Sequence, residues 1–132
     1  MIRSLRVLPM LALAAVVAST SACFVVAAGA GAGAAIAYTN RGASASVPGT
    51  IDAVFDRSVS AFGALSVNET GRATENSGAL RRLEGKQGDR EIIVELKRNT
   101  DDVTAVEVIA KKSVVEYDKE LAKKVLDRIV AN

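Results

Sequence analysis

The residues able to do chemistry are few. The chain has one cysteine, Cys23, and no histidine or tryptophan. Without histidine the usual acid–base group near neutral pH is missing. One cysteine and no histidine cannot assemble a zinc site of the common nitrogen and sulfur type, and no disulfide can form within the chain. Asp101-Asp102 falls in a predicted hairpin turn, where aspartate is favoured for bonding to the local backbone. Glu91 and Glu95 share one face of a predicted strand, where they are expected to pair with Lys or Arg across it. Ser58, Ser60, Ser66, Ser77 and Ser113 are candidate nucleophiles by type, but none stands in a Gly-x-Ser-x-Gly elbow. The basic doublet Arg81-Arg82 lies on a predicted strand, where neighbours point to opposite faces. Its acidic and basic residues read as a solvated mixed-charge surface. The expectation is a protein that is not an enzyme, with no cofactor and no metal.

The N-terminus gives Cys23 a context. "MIRSLRVLPMLALAAVVASTSAC" has Arg3 and Arg6, then an apolar run from Val7 to Ala18, then Ser19, Thr20, Ser21 and Ala22. That order reads as an export signal, and its apolar core is shorter than the roughly 20 residues that a membrane helix needs. Cleavage is expected between Ala22 and Cys23. The placement of Cys23 resembles the lipobox of bacterial lipoproteins. Ser21 and Ala22 fit that pattern, whereas Thr20 stands where Leu or Val is usual. The resemblance implies a diacylglycerol on the Cys23 sulfur and an acyl chain on its freed amine, an anchor far stronger than a single chain provides. Phe24 is not the Asp that retains such proteins in an inner membrane, so the outer membrane is favoured if the host has one. The bland alternative is an ordinary signal peptide that ends beside a buried cysteine.

Totals restrict the rest. The chain has 132 residues, 17 Lys plus Arg and 15 Asp plus Glu. Because Arg3 and Arg6 are the only charges before Cys23, the chain from Cys23 onward is formally neutral. A nucleic-acid binder needs a basic patch, so nucleic acid is not an expected partner. The expected partners are the membrane, through lipid on Cys23, and envelope proteins or a second copy of the chain.

Three segments emerge: 1–22, the lipoprotein signal peptide; 23–42, the lipidated cysteine and a Gly/Ala-rich segment; and 43–132, a folded domain. "FVVAAGAGAGAAIAY" is uncharged. It reads either as a tether with shallow insertion or as a membrane-associated helix. In the second reading Gly29, Gly31 and Gly33 let two helices approach closely, and the chain would assemble as an oligomer. It lacks the ending of a phosphate loop.

From about Ala43 charged residues enter and apolar spacing becomes regular. "ASASVPG" reads as a short extended segment, with Thr50 as the N-cap of a helix. Ile51, Val54, Phe55, Val59, Phe62 and Leu65 form the helix's apolar stripe, and Asp52 in its first turn suits the dipole. "VNETGRATENSG" is polar and holds a frayed edge strand. "ALRRLEGK", "REIIVELK" and "VTAVEVIAK" read as strands, the first two joined by a turn at Gln87-Gly88-Asp89 and the last two by a turn at 98–102. "DKELAKKVLDRIVAN" is an amphipathic helix capped by Asp118. The fold class is α+β: an antiparallel sheet of three to five strands with two helices packed on one face. An apolar cavity between the layers, lined by Phe55, Phe62, Ile92, Val94 or Val106, would make the protein a binder of a small apolar ligand or lipid.

These features together resemble a family. The lipobox, the Gly/Ala run ending in an aromatic, "VPGTIDAVFDRSVSAF", the charged strands and the closing "LAKKVLDRI" look like small bacterial envelope lipoproteins with a conserved domain of unknown function. The resemblance covers nearly the whole chain. It implies an envelope location, anchored and facing the periplasm, and it carries over no active-site residue. The expected role is a structural or protein-interaction module.

Overall fold

The computed structural model describes residues 35–131. Its elements are β1 (Ala37–Tyr38), β2 (Gly42–Pro48), α1 (Ile51–Ala64), β3 (Asn68–Glu75), β4 (Leu80–Gln87), β5 (Arg90–Thr100), β6 (Val103–Lys111) and α2 (Lys119–Ala131), with a 3-10 turn at Asn76–Gly78. The strands form one sheet in the order β1-β2-β6-β5-β4-β3, and every neighbouring pair is antiparallel. Helix α1 carries the chain from β2 across to β3 at the far edge.

Local sequence explains the helix boundaries. The Thr50 hydroxyl accepts the Ala53 N–H at 3.2 Å, which satisfies one of the free donors at the start of α1. Ile51, Val54, Phe55, Ala61 and Phe62 are its buried positions, together with Ser58. Ser58 is tolerated in the core because its hydroxyl donates to the Val54 carbonyl at 2.9 Å. In α2 the buried positions are Ala122, Val125, Leu126 and Ile129, the stripe read from the sequence. The β4–β5 hairpin closes through Gly88, whose φ of 60° suits the first central position of a two-residue hairpin turn.

Asp118 caps α2 and also ties it to the sheet. Its Oδ1 accepts the Leu121 N–H at 3.0 Å, and its Oδ2 accepts from Arg90 Nε at 3.2 Å. The Leu121 bond first, and then Arg90, hold its carboxyl below the usual carboxylate range. A lowered folded pKa means the stabilisation is present above the unfolded value of about 4 and is lost as pH falls through the folded one. Asp118→Ala is therefore expected to cost about 1–2 kcal/mol at pH 7. Urea titrations at falling pH should show the gap between the two proteins closing below about pH 4.

The core lies between the helices and one face of the sheet. Ala43, Ala45 and Val47 of β2, Leu83 of β4, Ile92, Val94 and Leu96 of β5, and Val106, Val108 and Ala110 of β6 meet both helices there. Phe55, Phe62, Ile92, Val94 and Val106 are each 0–2% exposed. The apolar cavity expected among these five residues is thus a filled core: Phe55 and Phe62 take up the space between the layers.

Among the described residues the sheet has six strands rather than three to five. The extra strand is β1, two residues long, in the stretch read as the end of the Gly/Ala segment. With β2 starting at Gly42, the sheet begins N-terminal to residue 43. β5 also runs further than expected, to Thr100, with an irregularity between Arg98 and Thr100, so the turn narrows to Asp101-Asp102.

Candidate functional site

Among the described residues, the sheet face turned away from the helices carries no helix. A groove of about 620 Å³ runs across it. Side chains alternate along each strand, which decides what lines it. Ser44 and Ser46 of β2 alternate with the core residues Ala43, Ala45 and Val47, and Ala105 and Glu107 of β6 alternate with Val106 and Val108. Glu95 and Lys97 of β5, Leu80 and Arg82 of β4, and Ala73 and Glu75 of β3 also line it, with Ala35 and Ala37 at the opposite side. The middle is therefore paved with short side chains and the sides carry mixed charge. Short side chains there leave room for the groove.

The charges are partly paired. Arg82 Nη2 is 3.9 Å from Glu95 Oε1, and Arg82 Nε is 2.9 Å from Glu84 Oε1. The second contact is electrostatic only, because that nitrogen is buried and makes no hydrogen bond. Glu107 accepts from the Thr39 hydroxyl at 3.3 Å and lies 3.7 Å from Arg41. Among the described residues Lys97 and Glu75 enter no ion pair. The groove can thus hold a ligand or chain that is mainly uncharged in the middle and polar at its ends.

The sequence candidates are distributed as follows. Ala22, Cys23, Gly29, Gly31 and Gly33 lie outside the described residues. Asp101-Asp102 forms the β5–β6 turn. Glu91 stands in register with Lys86 and Lys111, and Glu95 meets Arg82, so both have cationic neighbours across the ladder. Arg81 and Arg82 point to opposite faces. Arg82 enters the groove, whereas Arg81 lies on the helix side, 3.6 Å from the Phe55 ring centroid and 2.8 Å from Asp52. Among the described residues no three His, Cys, Asp or Glu side chains gather as a metal site, and no helix is long and apolar enough to cross a membrane. The groove itself was missed. Its trace in the sequence is the small outward residue at alternate positions, Ser44, Ser46 and Ala105, facing away from the apolar ones.

Among the described residues, two helices on one face of an antiparallel sheet and a groove on the other define a small two-layer α+β domain. The chain belongs to the family described as Protein of unknown function (DUF3568), which matches residues 6–132. No curated protein matches it.

Proposed function

We propose that the protein is an envelope lipoprotein, anchored through lipid on Cys23, whose domain holds a partner protein in the open groove of its sheet. The observation that supports the reading is the groove lined by short side chains on the sheet face away from the helices, in a chain whose lone cysteine follows an N-terminal apolar run. A sheet normally covers both faces unless one meets water or a partner. Paired strand residues hold the surface rigid, so a partner docks without first ordering it.

The test has two readouts from one preparation. Protein extracted from membranes is expected to give an N-terminal peptide that starts at Cys23 and carries added acyl mass; an unmodified Cys23 would remove the anchor. A photo-cross-linking residue at Ala105, in the groove, is expected to capture an envelope protein, while the same residue at Lys124, on the exposed side of α2, does not. Equal capture from both positions would remove the groove as the docking surface.

A second reading is a small-ligand site. About 620 Å³ lies within the roughly 300–1,000 Å³ range of ligand pockets. The ligand would then sit on the open face and not in the core. Co-purified mass in native mass spectrometry that is lost in Ala105→Arg would favour it.

A further inference from the structure

Among the described residues, three large apolar side chains stay more than half in water: Tyr38 at 53%, Val114 at 90% and Val115 at 87%. All three stand at the end of the sheet where β6 gives way to α2. Val114 and Val115 lie in the loop that joins those two elements. Tyr38 of β1 is in register with Ala43, and Ala43 with Val108 near the end of β6. The Tyr38 hydroxyl donates to Glu120, in the first turn of α2, at 3.2 Å.

The loop is braced. Lys111 and Tyr117 close it as an antiparallel bridge. The Lys112 and Ser113 N–H groups both donate to the Glu116 carbonyl, at 2.9 and 3.3 Å. The Ser113 hydroxyl accepts the Glu116 N–H at 3.2 Å. These bonds hold the backbone on both sides of the two valines and leave the valines at the tip. Neither valine packs in the core, and water around an apolar side chain is unfavourable. The charges nearby are sorted. Glu116 lies 3.7 Å from Lys112, and Asp118 lies 3.2 Å from Arg90. Lys111 and Lys119 bracket the loop, and among the described residues they enter no ion pair, although Glu91 stands in register with Lys111.

We propose that this end of the domain rests on an anionic lipid surface. Val114 and Val115 insert among the headgroups, Tyr38 sits at the boundary, and Lys111 and Lys119 lie beside the lipid phosphates. Each part suits that place. An apolar tip gains by leaving water. Tyrosine has an apolar body and a polar end, the combination favoured at a membrane interface. Lysines gain next to anionic headgroups. Two side chains on a narrow tip offer far less than the roughly 800 Å² per partner that a stable protein contact buries. The proposal rests on the envelope reading in one respect, that a membrane is close by: a chain from Cys23 to Ala35 spans at most about 40 Å. It does not depend on what fills the groove.

The chain has no tryptophan, so Val115→Trp gives a single fluorescent reporter at an exposed position. The full chain carrying it is extracted from membranes and reconstituted in vesicles of phosphatidylethanolamine and phosphatidylglycerol with a brominated lipid as quencher. Asp101→Trp is the comparison, at the other end of β6 and about 30 Å away. Flotation with the vesicles reports the anchor, and quenching reports the loop. The Val115→Trp emission is expected to be quenched at least about three-fold more strongly than that of Asp101→Trp. Flotation with equal quenching at both positions would overturn the loop contact and leave the anchor standing. Failure to float would overturn both. Replacing phosphatidylglycerol with phosphatidylcholine is expected to shift the loop back toward water by about five-fold for each lysine engaged. Quenching that ignores lipid charge would overturn the anionic surface as the occupant. A blue shift seen in native membranes but absent in protein-free vesicles would also overturn the proposal, and would put a protein at the tip.

Discussion

Phe55→Ala is expected to lower the stability of the purified chain by about 3–5 kcal/mol, the usual range for truncating a buried aromatic. Phe55 is 1% exposed and sits in α1 where the helix crosses the sheet. Its ring does more than fill volume. The Arg81 guanidinium lies 3.6 Å from the ring centroid and the Arg72 guanidinium 5.4 Å from it. These two arginines stand on neighbouring strands, β3 and β4, two register positions apart and so on the same face. Arg72 pairs with Glu69, and Arg81 with Asp52 in the first turn of α1. Phe55 therefore offers two cations on the core side of the sheet an aromatic surface, a contact worth roughly 0.5–2 kcal/mol. Removing the ring exposes the Arg81 stem beside a cavity that the neighbouring strands cannot close. Phe55→Leu keeps most of the volume and loses only the ring, so it should cost about 1–2 kcal/mol. Urea denaturation of both variants at pH 7 checks this. Equal losses for leucine and alanine would mean that the cation contact, not the volume, dominates.

The core was legible because its signals are periodic and local. Ile51, Val54, Phe55 and Phe62 recur at helical spacing, Ile92, Val94 and Leu96 alternate, and Thr50 and Asp118 stand where caps belong; the structure places all of them as read. The open face was harder. Ile93 breaks the polar side of its strand in the sequence, and the structure shows why that is tolerated: it stands opposite Ile109 of β6 on the groove side, and the two are 2% and 1% exposed. Which residue faces which across a ladder depends on register, and register is set by turns and partners far away in the chain. β1 was invisible for another reason. Ala37-Tyr38 lies in an uncharged run in which alternating glycine and alanine give no contrast in hydrophobicity, so the same residues also fit a helix face. The edge strand β3 shows the opposite limit. "NETGRATE" has no buried residue, and only its turn residues and polarity marked it as an edge.

Gly85→Ala is expected to destabilise the fold although alanine outranks glycine as a strand former. Gly85 belongs to β4, opposite Ile92 of β5 and Glu69 of β3. A β-carbon there would lie 2.7 Å from Phe62 Cε2, 2.7 Å from Val67 Cγ1 and 2.9 Å from the Asn68 carbonyl oxygen. None of these can retreat cheaply. Phe62 and Val67 are 2% and 6% exposed, and the Asn68 carbonyl is backbone at the start of β3, just before the ladder shifts register between Glu69 and Gly71. Overpacking of this kind costs about 1–3 kcal/mol. The smaller unfolded-state entropy of alanine opposes it by about 0.4–1 kcal/mol. Contact with three fixed groups puts the net effect near 2 kcal/mol of destabilisation, or a fall in Tm of roughly 8–16 °C for a domain of this size. Gly71→Ala is the internal comparison. It lies in the neighbouring strand and meets only Glu84 Oε2, a flexible carboxylate, at 3.6 Å, so its effect should stay within about 0.5 kcal/mol. A calorimetric scan of the two variants separates the explanations. If both melt alike, glycine at 85 reflects strand flexibility; if only Gly85→Ala falls, it is the close approach of α1 and β3 to β4 that requires a residue without a β-carbon.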